Sequence, residues 1–202
     1  MRVKICGITR LEDALAGAEE GASALGFIFV PSSPRYIPPA AAGEIIRMLP
    51  PFVTPVGVFV NETRETIASA IAASGVRCVQ LHGDELAGET RGYPVPVIKA
   101  FRVGEDFDAS VIATYELPAY VLDTRVEGLH GGTGTPFDWK RAAEASRYGR
   151  IIVGGGITPS NALAAWRTAR PYGLDVSSGV ESSPGVKDRG KIRALFEALR
   201  DA

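Results

Sequence analysis

Short runs of β-branched and aromatic residues recur about every 25 residues along the chain. They read RVKIC, ALGFIFV, PVGVFV, RCVQL, VPVIKAF, AYVLD, RIIVGG and GLDVS, and they predict eight strands. Between most of them lie Ala-rich stretches with helical spacing, among them RLEDALAGAEEG, TRETIASAIAASG, TPSNALAAWRTAR and DRGKIRALFEALRDA. Thr9, Thr63 and Ser160 stand where helix starts are expected, and Gly21 and Gly75 where helices should end. The helical segment around EDFDASVIATYEL is the weakest of the series. An alternating series of this kind forms a parallel sheet, because each crossover returns the chain to the same edge with a right-handed turn. Eight such units predict a closed (β/α)8 TIM barrel of parallel strands. The rival is an open doubly wound sheet, which calls for a glycine-rich G-x-G-x-x-G turn after the first strand, where this chain reads CGITRLED. No linker or change of composition interrupts the pattern, so residues 1–202 are expected to form a single barrel domain.

Composition narrows the function classes. Of 202 residues, 46% are hydrophobic and 22% charged, as in one well-packed globular domain, and the formal net charge is -1. No run of Lys or Arg exceeds two residues, so neither nucleic acid nor an anionic membrane is an expected partner. No apolar stretch approaches the roughly 20 residues of a membrane span, and no leader pattern opens the chain, so a cytoplasmic location is expected. The two cysteines, Cys6 and Cys78, lack metal-ligand spacing and read as reduced thiols, Cys78 as a small buried hydrophobe. With only His82 and His130 as histidines, and His130 expected to face solvent, no metal site is predicted.

In a barrel of this kind the reactive residues collect at the C-terminal ends of the strands and in the following loops. Three glycine-rich turns fall there: Gly131 and Gly132 in HGGTGTPFDW, Gly154, Gly155 and Gly156 in VGGGITPSNA, and Ser177, Ser178 and Gly179 in VSSGVES. Their backbone N–H groups suit a phosphate, so the expected partner is a phosphorylated small molecule. Strand alternation turns Val3 and Ile5 to one side and Lys4 and Cys6 to the other. If the apolar pair meets the helices, the thiol looks into the barrel mouth, where Lys4 either draws it toward thiolate or is held in an internal ion pair with Asp175. Asp123 ends an otherwise buried strand; with Cys6 it forms an acid and base pair able to move a proton between two atoms of one substrate. Arg35, after PSSP, offers a fork to a carboxylate. His82 in LHGDE reads as a residue that orients the loop.

The segments VKICGIT, LGFIFVPSSPRYI, VGVFVN, VQLHGDE, VIKAF, VLDT, GGTGTPFDW, GGGITPSN and DVSSGVESSPGVKD, in this order, resemble the phosphoribosylanthranilate isomerases. The resemblance runs over nearly the whole chain. It implies an Amadori rearrangement of N-(5-phosphoribosyl)anthranilate in tryptophan biosynthesis, without a cofactor. It further implies Cys6 as the base at ribose C2, Asp123 as the acid at the ring oxygen, Arg35 as the clamp on the anthranilate carboxylate, and the late glycines as the phosphate cradle. The segment between Asp123 and Gly131 is expected to close over the ligand. Two alternatives are an indole-glycerol-phosphate synthase, for which Lys99 is the tempting lysine, and a non-catalytic phosphate-binding subunit. Either a monomer or a homodimer is compatible with the helices.

Overall fold

A computed structural model of the chain describes residues 1–104, 106–123, 139–200 and 202. Eight strands close into a parallel barrel in chain order: β1 (Val3–Cys6), β2 (Ala24–Ile28), β3 (Thr54–Phe59), β4 (Cys78–Leu81), β5 (Val97–Arg102), β6 (Tyr120–Asp123), β7 (Ile151–Val153) and β8 (Gly173–Val176). β1 closes the ring, with Lys4 opposite Ala24 of β2 on one side and Asp175 of β8 on the other.

Helices α1 (Leu11–Glu20), α2 (Pro39–Ile46), α3 (Arg64–Ser74), α4 (Trp139–Ala145), α5 (Ala162–Ala169) and α6 (Arg189–Ala198) surround it. Where the pattern is weakest the helix is short: 3-10 turns at Ala87–Thr90 and Ala109–Thr114 replace α-helices after β4 and β5. An antiparallel pair, β9 (Glu181–Ser183) with β10 (Val186–Lys187), is added after β8.

Two apolar shells follow from the period-2 alternation of the strands. Ile5, Leu25, Phe27, Val79, Leu81, Leu122, Val153 and Leu174 point outward and are buried under the helices. Alternate residues point inward, where Ile98, Ala100, Ala119 and Val121 form a small plug with Cys78 and Ile152. The expected side assignment of β1 holds, since Ile5 lies against Gly17 of α1 while Lys4 and Cys6 meet Gly26 inside the barrel.

The helix boundaries are only partly as expected. Gly21 and Gly75 do end α1 and α3, at φ 107° and 74°, values a side chain disfavours. Thr63 caps α3 by accepting a 3.1 Å bond from the Thr66 amide. Thr9 and Ser160 do not cap. Arg10 precedes α1, and the Thr9 hydroxyl instead donates to the Gly185 carbonyl beside the β9–β10 pair. Asn161 precedes α5, and the Ser160 hydroxyl is 2.9 Å from that of Thr158. In both cases a tertiary or loop partner outcompetes the helix terminus for the same hydroxyl. Cys78 is half-buried at the entry to β4, with burial pushing its thiol up to about 11.

Candidate active site

Three polar clusters stand at the C-terminal ends of the strands. The first is built on β1 and β8. Cys6 is buried, and Gly26 on β2 leaves room for it: a Cβ there would lie 2.7 Å from the Cys6 sulfur. Below it, Lys4 Nζ donates to Asp175 Oδ2 at 2.8 Å, with both side chains nearly covered. Both alternatives for Lys4 therefore coexist, since its charge is held by Asp175 and also acts on Cys6. Burial works hardest against the Lys4 ammonium, yet Asp175 and Cys6 together hold it above its ordinary range. The expectation that Lys4 brings the thiol toward neutrality needs correction. Burial dominates and pushes Cys6 up, Lys4 and Lys187 pull it down, and Asp175 cancels part of their effect. Desolvation thus opposes the thiolate, while the two nearby ammonium groups favour it. Asp175 Oδ1 is buried and lacks a hydrogen-bond partner among the described residues.

The second cluster involves Arg35, which makes one two-pronged carboxylate contact within the protein itself. Nε and Nη2 of Arg35 donate to the two carboxylate oxygens of Glu181, at 2.8 and 2.7 Å. Glu181 in turn accepts from Lys187 Nζ at 2.9 Å, and that ammonium also donates to the carbonyls of Cys6 (2.5 Å) and Ser177 (3.3 Å). Two cations thus face one carboxylate. Burial opposes the charge on Glu181, but Arg35 and Lys187 hold its carboxyl below the usual range; burial also lowers Lys187, against the pull of Glu181. The network ties the loop after β2, the β9–β10 pair and the end of β1 into one unit.

The third cluster stands across the mouth. Asp123 follows inward Val121 by two residues and so faces the interior at the end of β6. His82 Nε2 is 3.1 Å from Asp123 Oδ2, and Gln80 Nε2 of β4 is 3.1 Å from His82 Nδ1. His82, expected to orient its own loop, lies here against the predicted acid. Lys99, the lysine required by a synthase-like chemistry, is buried and donates to the Gly83 carbonyl at 2.6 Å, to Glu85 at 3.0 Å and to the Ala100 carbonyl at 3.1 Å. It is a structural ion pair rather than an amine presented to a substrate.

The glycine-rich turns divide. The Gly154 amide donates to the Leu122 carbonyl at 2.9 Å and so continues the sheet. Gly155 and Gly156 turn the chain at φ 73° and 66°, and the Asn161 side chain holds the Gly156 carbonyl at 2.9 Å. The loop after β8 runs Ser177, then a 3-10 turn at Ser178–Val180. Gly179 sits so close to the β7 loop that a Cβ would come 1.9 Å from the Ile157 carbonyl oxygen, which makes the two loops one surface. Gly131, Gly132, His130 and the segment expected to close over the ligand lie outside the described residues. Among the described residues no group of His, Cys, Asp and Glu is arranged to hold a metal ion, and no helix is long and apolar enough to cross a membrane.

Sequence reasoning assigned no role to Gln80, Glu181 or Lys187. A signal for Gln80 existed, since it is an uncharged polar residue at an inward position of the otherwise apolar run VQL. Glu181 and Lys187 lie within DVSSGVESSPGVKD, but which cation each carboxylate meets is decided by a hairpin that no periodicity announces.

Comparison with known proteins agrees with this geometry. The family described as N-(5'phosphoribosyl)anthranilate (PRA) isomerase matches residues 3–198. The N-(5'-phosphoribosyl)anthranilate isomerase of Pelobacter propionicus is 46% identical over 201 residues, covering 100% of this chain and 96% of the relative. The crystal structure of phosphoribosyl anthranilate isomerase from Thermotoga maritima superposes with a TM-score of 0.93 at 42% identity and full coverage of both chains. A further isomerase structure, in complex with reduced 1-(o-carboxyphenylamino)-1-deoxyribulose 5-phosphate, gives a TM-score of 0.89 at 40% identity, again with full coverage of both chains. With the motifs, the closed barrel and the full-length similarity all in agreement, the chain belongs to the N-(5'-phosphoribosyl)anthranilate isomerase family.

Proposed function

We propose that residues 1–202 act as one catalytic unit, isomerising N-(5-phosphoribosyl)anthranilate to 1-(2-carboxyphenylamino)-1-deoxyribulose 5-phosphate, with Asp123 as general acid and Cys6 as general base. Asp123 gives its proton to the ribose ring oxygen, the bond from C1 to that oxygen breaks, and the anilino nitrogen lone pair forms a C1 iminium. Cys6, as thiolate, then takes the C2 proton. The electrons of that bond form an enolamine, which gains a proton at C1 as the C2 enol becomes the ketone. The iminium is the electron sink, so no external oxidant or reductant takes part.

The observation that carries this reading is the pair of inward positions at strand ends, Cys6 over Lys4 on one wall and Asp123 against His82 on the other. A raised thiol suits the base role once a cationic intermediate lies beside it, because the more basic sulfur holds the abstracted proton more strongly. For the substrate carboxylate, Arg35 keeps its Nη1 and Nη2 edge, the second fork of a guanidinium whose first fork is on Glu181. Lys187 matters to this site because without its charge Arg35 and Glu181 would sum to zero. The phosphate is taken by the joined surface of Gly155, Gly156, Ser178 and Gly179.

The two unpaired cysteines fit a reducing compartment and support the cytoplasm. A homodimer is the assembly we favour, because Phe52 is 95% exposed and Met48 61% exposed on the connection into β3; one of the similar structures is of monomers generated from a dimeric isomerase of Thermotoga maritima.

The test follows the loss of anthranilate fluorescence during turnover for the wild type, Cys6→Ala and Asp123→Asn. Each variant is expected to lose about 10²–10⁴ in kcat with its fold intact. Turnover near the wild-type level in both would refute the roles.

A further inference from the structure

The Gln80–His82–Asp123 chain contains a buried atom with no hydrogen-bond partner among the described residues. Gln80 is 1% exposed, and its amide oxygen Oε1 has no hydrogen-bond partner among the described residues, although its nitrogen Nε2 meets His82 Nδ1. With the amide in this orientation its nitrogen donates, and His82 Nδ1 is the acceptor and carries no hydrogen. The ring's one proton then lies on Nε2, which donates to Asp123 Oδ2. If the ring were an imidazolium, its Nδ1–H would point at the amide N–H groups and two donors would collide.

We propose that Gln80 is a positioning residue for the acid step: by presenting its amide nitrogen to Nδ1 it keeps His82 neutral, so that the proton needed for ring opening stays on Asp123. This rests on the reading of Asp123 as the acid. The orphaned Oε1 is the cost of that orientation. Turning the amide by half a revolution would place Oε1 against Nδ1 and favour an imidazolium, and an imidazolium beside Asp123 would hold it as a carboxylate with no proton to give. The same rotation offers a place for the system once the proton has left. Asp123 is then a carboxylate, and a His82 that has taken up a proton from solvent is matched by the amide oxygen. One side chain thus suits both ends of the proton transfer without any new contact to substrate.

The inference separates from a packing role by spectroscopy. The chain has only two histidines, so the imidazole nitrogen resonances of the labelled full-length protein are few, and His82→Asn assigns the pair that belongs to His82. In the wild type without substrate, His82 is expected to be neutral with its hydrogen on Nε2. Gln80→Glu supplies an acceptor at Nδ1 and is expected to turn His82 into an imidazolium, lowering kcat at least about tenfold, within the range a general acid contributes, while KM stays within about twofold. Gln80→Met keeps the bulk and flexibility of the side chain without the amide, and is expected to leave both neutral tautomers populated with an intermediate kcat. A wild-type His82 carrying its hydrogen on Nδ1 overturns the proposal. So does a His82 signature that is unchanged in both folded variants, or a kcat unchanged in Gln80→Glu despite a changed signature. Full activity of Asp123→Asn would instead remove the reading underneath, and would do so whatever the nitrogen spectrum shows.

Discussion

Replacing Lys187 by Met removes the cation that links the β9–β10 pair to the end of β1. Its side chain is wholly covered, and it meets Glu181, the Cys6 carbonyl and the Ser177 carbonyl. At the observed 2.9 Å separation from Glu181, the gross attraction with an effective dielectric of 20 is about 6 kcal/mol. Most of it offsets the desolvation of the ammonium, the same burial that lowers Lys187 from its ordinary range. Removing one partner of a buried pair typically costs about 3–5 kcal/mol, because the other charge is left behind. Here Glu181 keeps both contacts to Arg35, so the lower end applies, about 3 kcal/mol. For a chain of this length that lowers Tm by about 6–12 °C. Urea unfolding read at fixed m gives the free energy directly. Combining Lys187→Met with Glu181→Gln should cost less than the sum of the single changes by about 1 kcal/mol or more, since the two residues share one contact. Acid should expose the same network. Arg35 and Lys187 hold the Glu181 carboxyl below its unfolded value despite burial, so its contribution is complete above the unfolded value and disappears as pH falls through the folded one. A loss below about 1 kcal/mol in Lys187→Met, additive with Glu181→Gln, would refute this account of the network.

Three further outcomes are expected. Because burial raises the Cys6 thiol, its alkylation rate in the ligand-free protein should still climb with pH above the ordinary thiol range, and Lys4→Met should move the midpoint higher; a rate unaffected by Lys4→Met would show that the two side chains are not coupled. Gly179→Ala forces a methyl toward the Ile157 carbonyl oxygen, so stability should fall by about 1–3 kcal/mol or more and KM should rise through the displaced loop, whereas an unchanged melting temperature would mean that the loops are not locked together. Phe52→Glu should convert a dimer to a monomer in light scattering with little change in the folded barrel, and a wild type that is monomeric at every concentration would remove the assembly proposed above.

The strands were legible because the alternation of core-facing residues is a local property. Ile5, Leu25 and Leu122 must reach the helix layer, and their neighbours Lys4, Gly26 and Val121 must then face the interior. Cys6 and Asp123 could be placed at the mouth for the same reason, since each is the last residue of its strand. Helix starts were less legible. A threonine hydroxyl fits a helix terminus and a distant carbonyl equally well, and Thr9 bonds Gly185 while Thr63 bonds Thr66. The 3-10 turn at Ala109–Thr114 matches the weak periodicity of its segment, because few of its residues reach the core.

The residues alone determined the barrel, the family and the place of Cys6 and Asp123 at strand ends, because periodicity and short motifs are encoded over a few neighbouring positions. Only the folded arrangement decided what surrounds that pair. Arg35 meets Glu181 across 146 residues of chain, Lys187 reaches Cys6 across 181, and Lys4 finds Asp175 across 171. Ionisation follows from such partners and from desolvation, and both depend on barrel closure rather than on local order. The sign of the Cys6 shift was therefore set in three dimensions, where burial outweighs the cation two residues away.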